Sequence, residues 1–497
     1  MVQGMAQYET VALFVFVAIG MVPMWASFIQ FLIVGLHAVR NNYFDCRDYT
    51  PRVAFILPAW NESRVIATSI DSLMSISYPK GAWRIYVVDD ASADDTPDIM
   101  QEKMKQYPGS VFHLRREVGG QGKAHTLNHG LDIVLADDWA EAVMIMDADV
   151  LFEKTALRTM ALHLANPNIG AVTAYVKEGS QPGTIITRFV AFEYIAAQAA
   201  ARRAQNVAGV LACLAGGAQL HSRANLIDMG GRIDTTTLAE DTFTTFKTQL
   251  NGRRVVFEGN AVVWAEEPDS LVGLWRQRLR WARGNLQITN RFRRVWFRPR
   301  RSSGLGSIPF GILWFSVVLT PLCMILTTVG LIGLEFQNSA WAWMTFAALR
   351  RIGMVIFLFE TFFCFLIDPA TGWRAWFEGL TFPGLISVAL MAIFFIPAHM
   401  SPFFDHLLYD STAGWTTYYA LKQFMYVWVS LCMLAAWGVY RVEKAGAPRW
   451  LRNGLLLLVG YGPLLCAVSF TALATSWRRS NMRWDKTIKT GNVRILK

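Results

Sequence analysis

Residues 142–152 read AVMIMDADVLF. An apolar run of strand length ends in Asp147 and Asp149, two carboxylates separated by one small residue, so a strand stopping here presents both acids across its turn. Hard divalent cations take such oxygens and share their remaining coordination sites with substrate phosphates. A D-x-D is common in itself. Its place at the end of a buried run is what makes this one a candidate metal site.

Three more runs have the same build: VAFILPA at 53–59, RIYVVDD at 84–90 and VFHLRR at 111–116. Helical patterns separate them, SRVIATSIDSLMSI at 63–76 and AHTLNHGLDIVLA at 124–136. This alternation predicts an α/β domain with a mainly parallel sheet covered by helices. In such sheets ligands bind beyond the carboxyl ends of the strands, so the polar residues at those ends matter. At LPAWNES, 57–63, Asn61 to Ser63 close the first strand and Ser63 is placed to cap a helix. At VVDDASADDT, 87–96, Asp89 and Asp90 leave a buried strand, where carboxylates accept hydrogen bonds from a base or ribose. A purely structural alternative has Asp94 capping the next helix and Asp89 satisfying turn amides.

Further along, TLAEDTFTTFKTQLNG at 237–252 sets Glu240 and Asp241 at the start of a helix, where acids also complement the helix dipole. Residues 270–297, SLVGLWRQRLRWARGNLQITNRFRRVWF, hold seven arginines and place Gln277, Arg278, Arg280 and Trp281 on about one helical turn. A juxtamembrane basic patch for anionic lipid explains the arginines. It does not explain Gln277 and Trp281 among them.

The 497 residues are 53% hydrophobic and only 17% charged, which marks a membrane protein. Val11 to Leu36 is free of charge and long enough to cross a bilayer. The leader before it carries no Lys or Arg, so an uncleaved anchor over 1–40 is expected rather than a signal peptide. The positive-inside rule then places the N-terminus outside and residues 38–305 in the cytoplasm. Hydrophobic runs return at 308–334, 352–367, 379–397, 416–440 and 454–476. The 379–397 run carries Pro383 and Pro397 and follows Trp373 and Trp376, as an interfacial or re-entrant helix does. Demoting it keeps the basic tail, 478–497, in the cytoplasm. Glu360 is expensive in lipid and is expected to face the bundle interior, to pair with Arg350 or Arg351, or to snorkel. The six scattered cysteines form neither a disulfide framework nor a metal knuckle.

The motifs P-x-W-N-E at 58–62, DDAS at 89–92, GKAHTLN at 122–128, DAD at 147–149, AED at 239–241 and QRLRW at 277–281 fall in one order. In that order they resemble the membrane-integrated branch of family-2 glycosyltransferases, which includes cellulose, chitin, hyaluronan and poly-N-acetylglucosamine synthases. The resemblance covers residues 50–300. It implies a GT-A catalytic domain over 41–300 inserted between transmembrane helices, with more helices over 301–477.

By that resemblance Asp89 and Asp90 contact the nucleoside, Lys123 lies near it, and Asp147 and Asp149 hold Mg²⁺ or Mn²⁺ on the diphosphate. Asp241, beside Glu240, is the general base; the family's usual T-E-D has Ala239 in place of its threonine here. Gln277, Arg278 and Arg280 face the diphosphate, and Trp281 forms the acceptor site. The tail segment WDKTIKTG distantly resembles a gating loop, which makes Thr487 and Lys489 candidates to close over the nucleotide.

The expected partners are a UDP-sugar donor, a growing glycan or lipid acceptor, membrane lipids and an accessory export subunit, with no nucleic acid. The expected location is the bacterial inner membrane. Three readings stay open: a processive synthase that secretes a β-linked polymer, a glycolipid synthase adding one sugar to diacylglycerol, and a non-catalytic polytopic transporter or scaffold.

Overall fold

A computed structural model describes residues 2–300, 304–392, 414–477 and 489–496. The chain divides into two compact units, one of residues 1–29 with 312–480, the other of residues 30–311 with 481–497. Thr487 lies outside the described residues.

The second unit is built on one sheet. Its strands are β1 (Val53–Ala59), β2 (Trp83–Asp89), β3 (Val111–Arg115), β4 (Ala142–Ile145), β5 (Leu151–Phe152), β6 (Ile169–Glu178), β7 (Gln219–Ser222) and β8 (Arg254–Ala265). They lie in the order β3-β2-β1-β4-β7-β6-β8-β5. The four strands read from the sequence pair in parallel, with Phe55 opposite Ile85 and Met144, and Val88 opposite Leu114. That half matches the expected parallel sheet.

The other half keeps one parallel pair, β6 with β8, and adds three antiparallel ones, so the sheet is mainly parallel as expected. β7 runs antiparallel to both β4 and β6, and the two-residue β5 runs antiparallel to β8. Strands of two and four residues carry too little periodicity to be read from a pattern.

Ile56, Val88, Leu127, Leu131, Val143 and Ile145 form the core between the sheet and the helix Lys123–Ala136. Gly130 allows that approach, because a Cβ there would sit 2.8 Å from Val88 and 2.9 Å from Ile56. Close packing leaves no room for the extra carbon.

Ser63 does not cap a helix. The helix starts at Ile66 without a side-chain cap, and the Ser63 amide donates instead to Asp94 Oδ2 at 3.1 Å. Asp94 also accepts from the Thr96 amide at 3.0 Å, so one carboxylate ties two turns together.

In the first unit and at its borders, three helices among the described residues are long and apolar enough to cross a membrane: Gln7–Val39, Thr320–Gln337 and Ala420–Lys444. The first contains the expected anchor and breaks at Met21, two residues before Pro23. The expected 308–334 span is two helices, Ile308–Val318 and Thr320–Gln337, with Pro321 at the second start. The expected 454–476 span is likewise two, Arg449–Val459 and Tyr461–Trp477, bent by 89° at Gly460.

The 352–367 run is the second half of a longer helix, Ser339–Ile367. Within it Arg350 is buried over the Phe346 ring at 4.7 Å, and Glu360 bonds to Ser27. Residues 376–392 form the short helices Trp376–Leu380 and Leu385–Ala392, and the rest of the 379–397 run lies outside the described residues.

Candidate active site

β4 delivers the D-x-D turn. Asp147 and Asp149 come just after its last residue, Ile145, with Met146 between, and Ser69 Oγ pins the turn by donating to the Ala148 carbonyl at 2.6 Å. Each carboxylate holds an ammonium group. Lys123 Nζ lies 2.5 Å from Asp147 Oδ1, and Lys489 Nζ lies 2.5 Å from Asp149 Oδ2.

Lys123 opens the helix that packs on the sheet, so its position is set by the core behind it. Its ammonium also lies 3.6 Å from Glu240 Oε1. Burial opposes that charge, but Asp147, Glu240 and Asp241 outweigh it and hold the Lys123 pKa above its ordinary value. Thus the DAD turn and the AED helix start, nearly a hundred residues apart, meet on one lysine.

Glu240 and Asp241 stand in the first turn of the helix Glu240–Leu250. Asp241 Oδ1 accepts from the Thr242 amide at 2.7 Å, and a Cβ on Gly216 would lie 3.4 Å from Asp241 Oδ2 and from Lys123 Nζ. Asp241 Oδ2 and Lys123 Nζ therefore face the same point beside Gly216. Cys213 also bonds to this carboxylate, and burial pushes its thiol well above the usual range.

Asp89 and Asp90 differ in surroundings. Asp89 is fully buried; it accepts from the Ser92 amide at 2.7 Å and meets His113 at 3.3 Å and Arg115 at 3.2 Å. Burial raises its pKa, and the His113 and Ser92 hydrogen bonds overcome that to hold the carboxyl below its usual range. The structural alternative, in which Asp89 serves its own turn, describes these contacts. Asp90 bonds to Arg116 and accepts from the Gly120 amide at 2.8 Å. Gly119 is required here, since a Cβ would fall 2.1 Å from the Asp90 carbonyl oxygen.

QRLRW lies on the helix Leu271–Arg291, which Ser270 caps through the Gly273 amide. Its polar residues divide into two groups. Gln277 and Arg278 are buried, with Gln277 donating to Glu267 Oε2 at 3.0 Å and Arg278 to Glu193 Oε2 at 2.8 Å. The Arg278 guanidinium stacks on Trp281 at 4.1 Å. Arg280 makes no hydrogen bond or ion pair among the described residues, and Trp281 is 36% exposed. Of the three residues expected to face a diphosphate, Gln277 and Arg278 are bound to acids and Arg280 is not.

The segment 489–496 lies along this unit. Val493 bridges Ser180 and is buried with Leu151 and Trp264. The Thr490 and Gly491 amides donate to Glu266 at 2.7 and 3.0 Å, and Lys489 Nζ to the Glu266 carbonyl at 2.6 Å. Lys489 was legible as a site residue, but not its partner Asp149.

Sequence reading also missed Glu193, Glu266 and Glu267. The last two follow a β-branched strand, as Asp89 and Asp147 do, and that rule finds them. Glu193 has no such signal. It sits where Ile185–Tyr194 passes into the π-helix Ile195–Ala200, a geometry frequent at functional sites.

Among the described residues no three His, Cys, Asp or Glu side chains gather as a metal cage. Two carboxylates on one turn, each now facing a cation, nonetheless fit a magnesium or manganese ion that takes its remaining ligands from water and phosphate.

Residues 51–284 match the family described as "Glycosyltransferase like family 2". A probable glycosyltransferase, YdaM, of Bacillus subtilis (strain 168) is 32% identical over half of this chain and 59% of its own length. A poly-beta-1,6-N-acetyl-D-glucosamine synthase of Staphylococcus aureus (strain COL) is 29% identical over 48% of this chain and 56% of its own. The chain thus spans little more than half the length of these curated relatives. The mannosyltransferase PcManGT from Pyrobaculum calidifontis, solved with GDP-Man and Mn²⁺, superposes with a TM-score of 0.55 at 21% identity, over 74% of this chain and 99% of that one. At that identity the likeness speaks for the fold.

Proposed function

We propose, from the premise that residues 51–284 are a family-2 glycosyltransferase domain, that the protein is an inverting hexosyltransferase that polymerises a β-linked polysaccharide from a UDP-sugar. The observation that carries this reading is the convergence of Asp147, Glu240 and Asp241 on Lys123 at the carboxyl ends of the strands. Likeness to a poly-beta-1,6-N-acetyl-D-glucosamine synthase supports a polymer product, and the candidate membrane spans support its export.

In this reading Asp241 is the base. Its carboxylate takes the proton of the acceptor hydroxyl as that oxygen attacks the anomeric carbon, and the bond from that carbon to the diphosphate breaks on the opposite face. Lys123 and Arg280 bind the departing diphosphate, Arg280 being suited by a guanidinium with no protein partner among the described residues. Asp147 and Asp149 would hold a divalent cation, which supplies charge neutralisation at the leaving group. Trp281 offers an exposed indole face to the acceptor sugar, held flat by the stacked Arg278. Asp90 would meet the nucleoside, beside Asp89, which also accepts from its own turn at Ser92. Lys489 would close the site from the tail.

The test is product size. Purified protein with Mn²⁺ is offered radiolabelled UDP-glucose and UDP-N-acetylglucosamine separately, and product is partitioned between organic solvent and water. High-mass label outside the organic phase is the expected result. Label confined to the organic phase would make the protein a glycolipid synthase.

A further inference from the structure

At the opposite end of β8 from Glu266, three side chains stand in a line that the transfer reaction does not use. Cys46 Sγ lies 3.3 Å from His163 Nδ1, and His163 Nε2 lies 2.7 Å from Glu258 Oε2. The second carboxylate oxygen of Glu258 accepts from Tyr43 at 2.8 Å and from the Asn260 amide at 2.7 Å. Tyr43 in turn accepts from Asn260 Nδ2 at 2.7 Å and stacks on the His163 ring at 5.5 Å. The imidazole is therefore fixed on both edges and on one face.

His163 and Glu258 are buried at 4% and 3% exposure, while Cys46 is partly exposed. Burial opposes charge on His163, but the bonds to Cys46 and Glu258 outweigh it and raise its pKa to about 9. At neutral pH the ring is an imidazolium, with Nε2–H donating to the carboxylate and Nδ1–H facing the sulfur. The Arg203 guanidinium packs against Gly259 and adds a second positive charge beside Glu258.

A thiol, an imidazole and a carboxylate that orients the imidazole are the three parts of an activated sulfur nucleophile. The attacking form of a cysteine is its sulfur anion, and a fixed imidazole beside the sulfur is the partner that such chemistry uses.

We propose that Cys46, activated by His163 and Glu258, is a modification site for small soft electrophiles, with hydrogen peroxide as the oxidant. The thiolate sulfur attacks one peroxide oxygen and the O–O bond breaks. The leaving hydroxide takes the Nδ1 proton of His163 and departs as water. Cys46 becomes a sulfenic acid and His163 a neutral imidazole, so atoms, charge and electrons balance. The product replaces the sulfur–imidazolium contact with a sulfenic acid beside a neutral imidazole, while Tyr43 keeps its bonds to Glu258 and Asn260.

The test uses the full chain in detergent at pH 7. It follows iodoacetamide labelling of each cysteine by peptide mass spectrometry, and then sulfenic acid capture by dimedone after peroxide. Cys46 in the urea-unfolded chain serves as the reference. Converting a thiol from a few per cent thiolate to mostly thiolate speeds alkylation by roughly 10-fold once its lower intrinsic nucleophilicity is counted. Cys46 is expected to label faster by about that factor in the folded protein than in urea, and to be the main dimedone site. His163→Asn is expected to remove the advantage and Glu258→Gln to reduce it. Equal or slower labelling of Cys46 in the folded wild type would overturn the proposal without any variant having to fold. So would a His163→Asn protein that reacts as fast as wild type.

Discussion

Lys489 Nζ sits 2.5 Å from Asp149 Oδ2, so an ammonium carried by the C-terminal segment occupies the carboxylate expected to hold a metal. Lysine and cation then compete for one oxygen pair. Lys489→Ala is expected to tighten Mn²⁺ binding by about 10-fold, equivalent to about 1.4 kcal/mol, measured by electron paramagnetic resonance of free Mn²⁺. Unchanged affinity would show that the lysine and the cation do not share the site.

Arg278 and Arg280 are two residues apart and are expected to fail differently. Arg278 is buried on Glu193 and stacked on Trp281, so Arg278→Ala removes a buried charge-assisted hydrogen bond and should destabilise the protein by about 1.5–3 kcal/mol. Arg280→Ala should spare the melting temperature. It should lower kcat/KM for the donor by roughly 10–100-fold, the worth of one hydrogen bond to a charged group. Thermal melts beside donor kinetics separate the two.

His163 sets a pH dependence. Its folded pKa, about 9, lies above the ordinary 6.5, so the folded state binds the extra proton. The stability this confers is complete below about pH 6.5 and is lost as pH rises through about 9. Melting temperatures of wild type and His163→Asn should therefore converge between these values. A constant gap across that range would contradict the assignment.

Asp94 works in the other direction. Burial raises its pKa, but bonds from Thr96 and Ser63 prevail and bring it to about 2. The stability it gives is present above the ordinary carboxylate range and falls away as pH drops toward about 2. Asp94→Asn should flatten the acid limb of the stability curve, read by melts from pH 7 to pH 3.

The strand ends were legible because a buried run that stops in acids has one geometry available: Asp147, Asp149, Asp89 and Asp90 all stand where that rule puts them. The meeting of Asp147 with Glu240 was reachable only through family resemblance, since no local pattern measures a distance between residues 93 apart in sequence. The antiparallel pairings of β5 and β7 stayed hidden because those two strands are short. The Arg278–Glu193 pair stayed hidden for a physical reason: a guanidinium suits a phosphate and a carboxylate equally well, and Glu193 gives no sign of itself in the sequence. The hydrophobic runs located helices well and missed their breaks, as at Gly460, where φ is 105°.

The central claim is that Asp241 takes the proton from the acceptor hydroxyl. Asp241→Asn keeps the size and removes the basicity, so UDP release with acceptor present should fall by about 10²–10⁴-fold while UDP binding, measured by calorimetry on the same sample, stays within about 2-fold of wild type. Release at the wild-type rate from a variant that still binds UDP would contradict the account.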